Sequence, residues 1–123
     1  MLYAIEIEPE VRAFLAKLSP ADLARADFAA GLLATYGPEL REPYCRYLGD
    51  GVRELRFTLS GNRATRISYW FPGRRKAVLL TAFHKTRQRE SMQVDRARSA
   101  RKVCEAEHAG PAHLTFDPMG ETE

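Results

Sequence analysis

The sequence predicts one α+β domain, in which an N-terminal strand and a helical hairpin pack on a mainly antiparallel sheet that a C-terminal helix follows. Three observations predict it. Apolar residues recur at three-to-four spacing between Val11 and Leu33, the period changes to two from Tyr44 to Phe83, and a charged stretch with a thin helical seam begins near Ser91. Strand runs that follow helix runs argue for α+β rather than alternating βαβ units. A chain of 123 residues has room for one such domain, burying roughly two thirds of its unfolded surface without a disulfide or metal staple.

Each element has a local reason. Tyr3, Ile5 and Ile7 alternate with polar neighbours, which reads as a strand. Pro9 ends it and suits the first turn of a helix. Val11, Phe14, Leu15 and Leu18 then form one apolar stripe. Ser19-Pro20-Ala21-Asp22 is a second helix start: a Ser cap, Pro at the first position, and a carboxylate near the positive helix end. Leu23, Ala26, Ala30 and Leu33 carry the buried stripe expected of that helix, and Gly37-Pro38 stops it. A tight turn between two helices makes an antiparallel hairpin.

Tyr44 to Leu48 reads as a short strand or arm, followed by the turn Gly49-Asp50-Gly51. In the next strand Leu55 and Phe57 point inward, Glu54 and Arg56 outward. After Ser60-Gly61-Asn62, residues 64–71 place Ile67, Tyr69 and Phe71 on one face, and Arg66, Ser68 and Trp70 on the other. Ala77 to Phe83 is nearly continuous apolar sequence, as for a strand covered on both faces. Val94, Ala97, Ala100 and Cys104 form the seam of a charged helix over about 91–107. The segment from Gly110 to Glu123 holds two prolines, two glycines and three acids, and is expected to be mobile or loosely docked.

The net charge of +3 conceals an uneven distribution. Residues 1–40 hold three basic and six acidic side chains, residues 41–102 sixteen and five, and residues 103–123 none and five. A middle segment this basic predicts a positive surface facing a polyanion. Most of its cations are arginine, which matches phosphate bidentately. No apolar run approaches the ~20 residues needed to span a bilayer. The start MLYAIEIEPE is too acidic and short for a secretory signal, so the expected location is cytoplasmic. Cys45 and Cys104 have no metal or redox spacing and are expected as free thiols. His84, His108 and His113 are not spaced as a metal set.

The chain has no Gly-rich phosphate loop, no HExxH and no nucleophile elbow. What remains is a strand-borne array of Arg53, Arg56 and Arg66, followed by Phe83-His84-Lys85-Thr86-Arg87-Gln88-Arg89 where the last strand ends. Metal-independent RNA cleavage needs such groups. A ribose 2′-hydroxyl loses its proton and attacks the adjacent phosphorus, arginines stabilise the phosphorane, and a group titrating near neutrality moves protons. His84 has the right ordinary pKa, and Lys85 or an aromatic hydroxyl could assist. The bland alternative is a structural His84 at a strand end. Trp70 beside Arg66 is a base-stacking candidate, with packing under the C-terminal helix as the other reading.

The order Val52-Arg53-Glu54-Leu55-Arg56-Phe57, Arg66-Ile67-Ser68-Tyr69-Trp70, then Val78 to Thr86 and a basic helix resembles the HigB-like branch of the RelE/ParE toxin superfamily. That branch shares (L/W)-x-E-L-R, R-(V/I)-x-(Y/F) and L-L-x-x-F-x-K-(K/T) motifs in this order, and the resemblance covers roughly residues 3 to 105. It implies a RelE-like fold over residues 1–109; the acidic tail over 110–123, expected to be flexible from its composition, is longer than that fold needs. The implied activity is that of a type II toxin, a ribosome-dependent, metal-independent mRNA endoribonuclease that inhibits translation without a cofactor. The implied partners are a cognate helix-turn-helix antitoxin and mRNA on the ribosome, with no membrane. By position, Arg56, Arg66, His84 and Lys85 would fall in the cleavage pocket; Arg53, Trp70, Arg87 and Arg89, from the basic array and its aromatic neighbour, are the expected RNA contacts. Thr86 stands where many relatives carry a second Lys. A ParE-like gyrase poison and a non-catalytic RNA-binding module are the alternatives on the same fold.

Overall fold

The computed structural model describes residues 2–86, 90–107 and 114–116. Strand β1 (Ala4–Ile7) leads into helices α1 (Pro9–Ala16) and α2 (Pro20–Tyr36). The meander β2 (Cys45–Gly49), β3 (Val52–Leu59), β4 (Arg63–Gly73) and β5 (Lys76–His84) follows, then α3 (Glu90–Glu107) and a short β6 (Leu114–Phe116). All six strands form one sheet in the order β2-β3-β4-β5-β1-β6. Only β1 against β5 is parallel; the remaining pairs are antiparallel. The α+β class and the hairpin-on-sheet arrangement are those the periodicity predicts. The tail lies outside the described residues except for Leu114–Phe116, which pairs with β1. Among the described residues, no helix is long and apolar enough to cross a membrane.

Local chemistry sets the hairpin. Pro20 opens α2, and the Ser19 hydroxyl accepts a hydrogen bond from Asp22 N at 3.2 Å, satisfying one of the helix's orphan donors. Gly37 ends α2 at φ +53°, and a Cβ there would strike the Tyr3 ring, so the stop is specific for glycine. The expected α2 stripe needs one correction. Ala26, Ala30 and Leu33 are buried, but Leu23 is exposed and Asp22 is buried instead. The first turn of α2 faces the β3–β4 turn, whose Ser60 N and Oγ donate to the Asp22 carboxylate. A carboxylate fits that environment and a leucine does not.

The sheet is covered on both sides. Ile5, Val11, Leu15, Leu33, Leu55, Ile67, Tyr69 and Leu79 form the core under the hairpin. Leu48, Val52, Trp70, Val78, Leu80, Ala97 and Cys104 form a second core under α3, with the helix seam completed by Val94 and Ala100. Arg98 of α3 donates from Nε to Leu48 O at 3.1 Å, tying the helix to the β2 edge. Cys45 and Cys104 are buried free thiols, one in each core. Burial raises the Cys104 thiol to about 11, so it stays protonated and inert.

Strand β5 carries a bulge. Tyr69 pairs with Leu79 and Ser68 with Thr81, which leaves Leu80 as the extra residue. Beyond it the phase of the strand is inverted, so Thr65 pairs with His84 and Arg66 with Phe83.

Candidate functional site

Arg56 and Arg66 are direct partners on the neighbouring strands β3 and β4, on the sheet face turned away from the hairpin. Two cations placed opposite each other repel. Glu54 offsets this: its Oε2 lies 3.9 Å from Arg56 Nε and 3.9 Å from Arg66 Nε. Alternation predicts Glu54 outward beside Arg56; the two do share a face, but Glu54 is only 4% exposed. Arg66 is buried and its Nη1 donates to Thr65 O at 3.0 Å, whereas the Arg56 side chain is 27% exposed. At 3.9 Å the Glu54 carboxylate offsets the charge of both arginines without hydrogen-bonding either Nε, and leaves the cluster one net positive charge. Next to it, Ser68 Oγ and Thr81 Oγ1 lie 2.5 Å apart, and Thr81 N donates to Ser68 Oγ at 3.1 Å. Lys85 is exposed, and its N–H extends the β4–β5 ladder by donating to Ala64 O at 2.7 Å. Strand alternation from Phe83 turns Lys85 to the Arg66 side.

His84 is not part of this group. Pairing with Thr65 puts it on the hairpin face, where its ring lies 5.0 Å from that of Phe14. Thr65 Oγ1 donates to Arg63 O at 3.2 Å, so it accepts from His84 Nδ1–H, also at 3.2 Å. Nε2 then carries the lone pair and faces Arg63 Nη1 at 3.5 Å. Burial, reinforced by the Arg63 charge, lowers the His84 pKa, while Asp22 opposes the shift. His84 is therefore a neutral imidazole at pH 7, on the opposite side of the sheet from Arg56 and Arg66.

Arg63 is itself held. Its Nε donates to Ser60 O at 3.1 Å and its Nη2 to Asp22 Oδ2 at 2.7 Å. Asp22 also accepts from Ser60 N and Ser60 Oγ, each at 2.9 Å, and from Arg25 Nη1 at 3.0 Å. The Ser60 backbone N–H is the leading cause of the lowered Asp22 pKa, acting against burial. From sequence, Asp22 belongs to the helix dipole and Arg63 has no role. Their link spans 41 positions, and no local spacing announces it.

The remaining expected contacts separate. Trp70 is not an exposed stacking platform. It is 7% exposed, donates from Nε1 to Cys104 Sγ at 3.4 Å, and has the Arg101 guanidinium 4.9 Å from its ring centre. The face bearing Trp70 is covered by α3, so the alternative of packing under that helix is the observed one. Arg53 donates to Pro38 O at 2.9 Å and lies 5.9 Å from the centres of both the Tyr47 and Phe71 rings, on the hairpin side with Leu55. Arg87 and Arg89 lie outside the described residues, as do His108 and His113. The expected single positive surface thus reduces, among the described residues, to Arg56, Arg66 and Lys85. Among those residues no group of three or more His, Cys, Asp or Glu side chains is placed to hold a metal ion.

Comparison with known proteins bears on this arrangement. Residues 13–102, well over half of the chain, match the family described as "Phage derived protein Gp49-like (DUF891)". A search of curated proteins finds no match to the chain. The matched span runs from α1 through most of α3 and includes the Glu54–Arg56–Arg66 cluster and the β5 bulge. The chain belongs to the phage-derived Gp49-like family, a family of RelE-toxin-like proteins.

Proposed function

We propose that this protein is the toxin of a type II toxin–antitoxin system and acts as a ribosome-dependent mRNA endoribonuclease in the cytoplasm, restrained by a helix-turn-helix antitoxin. The observation that carries the reading is the Arg56–Arg66 pair, held in register around the buried Glu54 carboxylate. Two guanidinium groups borne opposite each other on adjacent central strands suit a phosphodiester that gains charge as it reacts. The 2′-hydroxyl gives up its proton to water as its oxygen bonds to phosphorus, the bond to the 5′-oxygen breaks, and the products are a 2′,3′-cyclic phosphate and a 5′-hydroxyl end. Arg56 and Arg66 stabilise the extra negative charge on the phosphorane, and Lys85 supplies the proton taken up by the leaving 5′-oxygen. His84 takes no part at this phosphate, because it faces the other side of the sheet.

The test is cleavage of message in a translating extract, with the new 5′ ends mapped by primer extension. The wild-type protein should cut only ribosome-bound message. Arg66→Ala and Arg56→Ala should each lower the rate by about 100- to 1,000-fold, the usual cost of one oxyanion-stabilising donor. Intact message together with inhibited DNA supercoiling would instead identify a gyrase poison. Binding of message without new ends would identify a non-catalytic RNA-binding module.

A further inference from the structure

A cavity of about 560 Å³ opens on the hairpin face, between the end of α1, the start of α2 and the β3–β4 turn. Nothing in the proposed cleavage chemistry uses it. Its wall combines the cations Lys17 and Arg63, the neutral imidazole of His84, and the apolar side chains of Phe14 and Leu18. Among the described residues that line it, the one carboxylate, Asp22, has both oxygens engaged: Oδ1 by Ser60 N and Arg25, and Oδ2 by Ser60 Oγ and Arg63.

The site's charge is therefore positive and its donors are already aimed. Arg63 is fastened at Nε and Nη2, and its Nη1 faces His84 Nε2 at 3.5 Å, with both residues in the cavity wall. A guanidinium held this way loses little freedom on binding an anion. Lys17 is exposed and makes no ion pair among the described residues. The cavity falls in the size range of small-ligand pockets. Its partly buried apolar wall suits a flat base or ribose more than a bare anion.

We propose that this cavity is a nucleotide subsite, in which Lys17 and Arg63 hold a phosphate and the Phe14–Leu18 wall takes the attached nucleoside. The proposal rests on the reading of the chain as an RNA-binding toxin and adds where a second stretch of the strand lies. The topology makes the path short. Thr65–His84 and Arg66–Phe83 are consecutive rungs of the β4–β5 ladder with side chains on opposite faces. An RNA strand crossing the end of the sheet at Lys85 meets the arginine pair on one side and this cavity on the other.

The test is an NMR titration of the full-length protein that follows the His84 ring signals, with adenosine 3′-monophosphate, adenosine and inorganic phosphate as separate probes. The nucleotide should give a saturable shift at least ten-fold tighter than either fragment. Lys17→Ala should weaken it about ten-fold, and Lys17→Arg should restore it. Lys17 is exposed, so its variants are expected to fold. Arg66→Ala should leave the shift in place, because Arg66 faces the other side. A His84 signal that does not move up to about 10 mM nucleotide, equal affinity for phosphate and nucleotide, or indifference to Lys17→Ala would each overturn the proposal. If the shift fails while Arg66→Ala still abolishes message cleavage, this inference alone falls. If the shift is seen but no message is cut, the cleavage reading falls and the subsite stands.

Discussion

Replacing Trp70 by alanine tests whether this side chain belongs to the fold or to an RNA surface. The indole is 93% removed from solvent under α3. Truncating a buried Trp to Ala typically costs about 3–5 kcal/mol. The Nε1–H to Cys104 Sγ bond and the Arg101 guanidinium 4.9 Å from the ring centre place this case toward the upper end, since a cation–π contact alone contributes about 0.5–2 kcal/mol. For a domain of this length a loss of about 4 kcal/mol corresponds to a drop in Tm of roughly 12–20 °C. Trp70→Phe keeps most of the apolar area and loses the donor, so it should cost about 1–2 kcal/mol. The assay is urea and thermal unfolding followed by circular dichroism, because Trp70 is the sole tryptophan and its fluorescence disappears with it. Arg101→Ala alone and combined with Trp70→Ala should show a coupling of about 0.5–1 kcal/mol. If Trp70→Ala moves the Tm by less than ~3 °C while weakening RNA binding more than ten-fold, the packing argument is wrong and Trp70 is a stacking platform.

Three further outcomes follow from the geometry. His84→Asn should cut message within about ten-fold of the wild-type rate, whereas loss of a true general base costs about 100- to 10,000-fold; a drop of that size would return His84 to the reaction. The lowered His84 pKa means that the unfolded chain takes up a proton at its ordinary pKa of about 6.5 while the folded chain does not. Stability should therefore be greatest above pH 6.5 and fall as the pH drops below it, and urea midpoints of His84→Asn should lack that component. The Asp22 contribution has the same sign at lower pH: present above its ordinary value of 3.8 and lost as the pH falls through its lowered folded value. Ribosome or RNA affinity should fall steeply between about 50 and 200 mM salt as counterions are released, and affinity that ignores salt would remove phosphate contact as the basis of recognition.

The parts of the fold legible in the sequence are those set by local chemistry. The Ser19-Pro20 start, the Gly37-Pro38 stop and the period-two strands each express a constraint within four or five residues, and all appear where expected. What sequence reading could not supply is the identity of the layer covering each face. Alternation correctly separated Arg66, Ser68 and Trp70 from Ile67, Tyr69 and Phe71. It could not distinguish a face open to solvent from one covered by a helix that begins seventeen residues after β4 ends. Trp70 and Glu54 therefore look outward from sequence, and both are buried. The seam of α3 was the available signal, since Ala97 and Cys104 need an apolar partner and Trp70 is the largest apolar residue on the unassigned face.

The candidate site turns on one residue of register. With strict alternation from Tyr69–Leu79, His84 would lie opposite Ala64 and share a face with Arg56 and Arg66, where a base for their phosphate would be wanted. The extra residue Leu80 inverts everything beyond it and moves His84 to the hairpin side. The inversion has a local cause. Without it Thr81 would fall opposite Ile67 in the hairpin core, a hydroxyl among apolar side chains, and such burial without a partner costs about 1–3 kcal/mol. With it Thr81 meets Ser68, and the two hydroxyls satisfy each other. The same shift keeps the imidazole away from the Arg56–Glu54–Arg66 cluster and sets it in a site where burial, reinforced by the Arg63 charge, favours its neutral form. One bulge thus gives neighbouring rungs of the ladder two different chemistries: fixed positive charge on one face, and a neutral imidazole in an open cavity on the other.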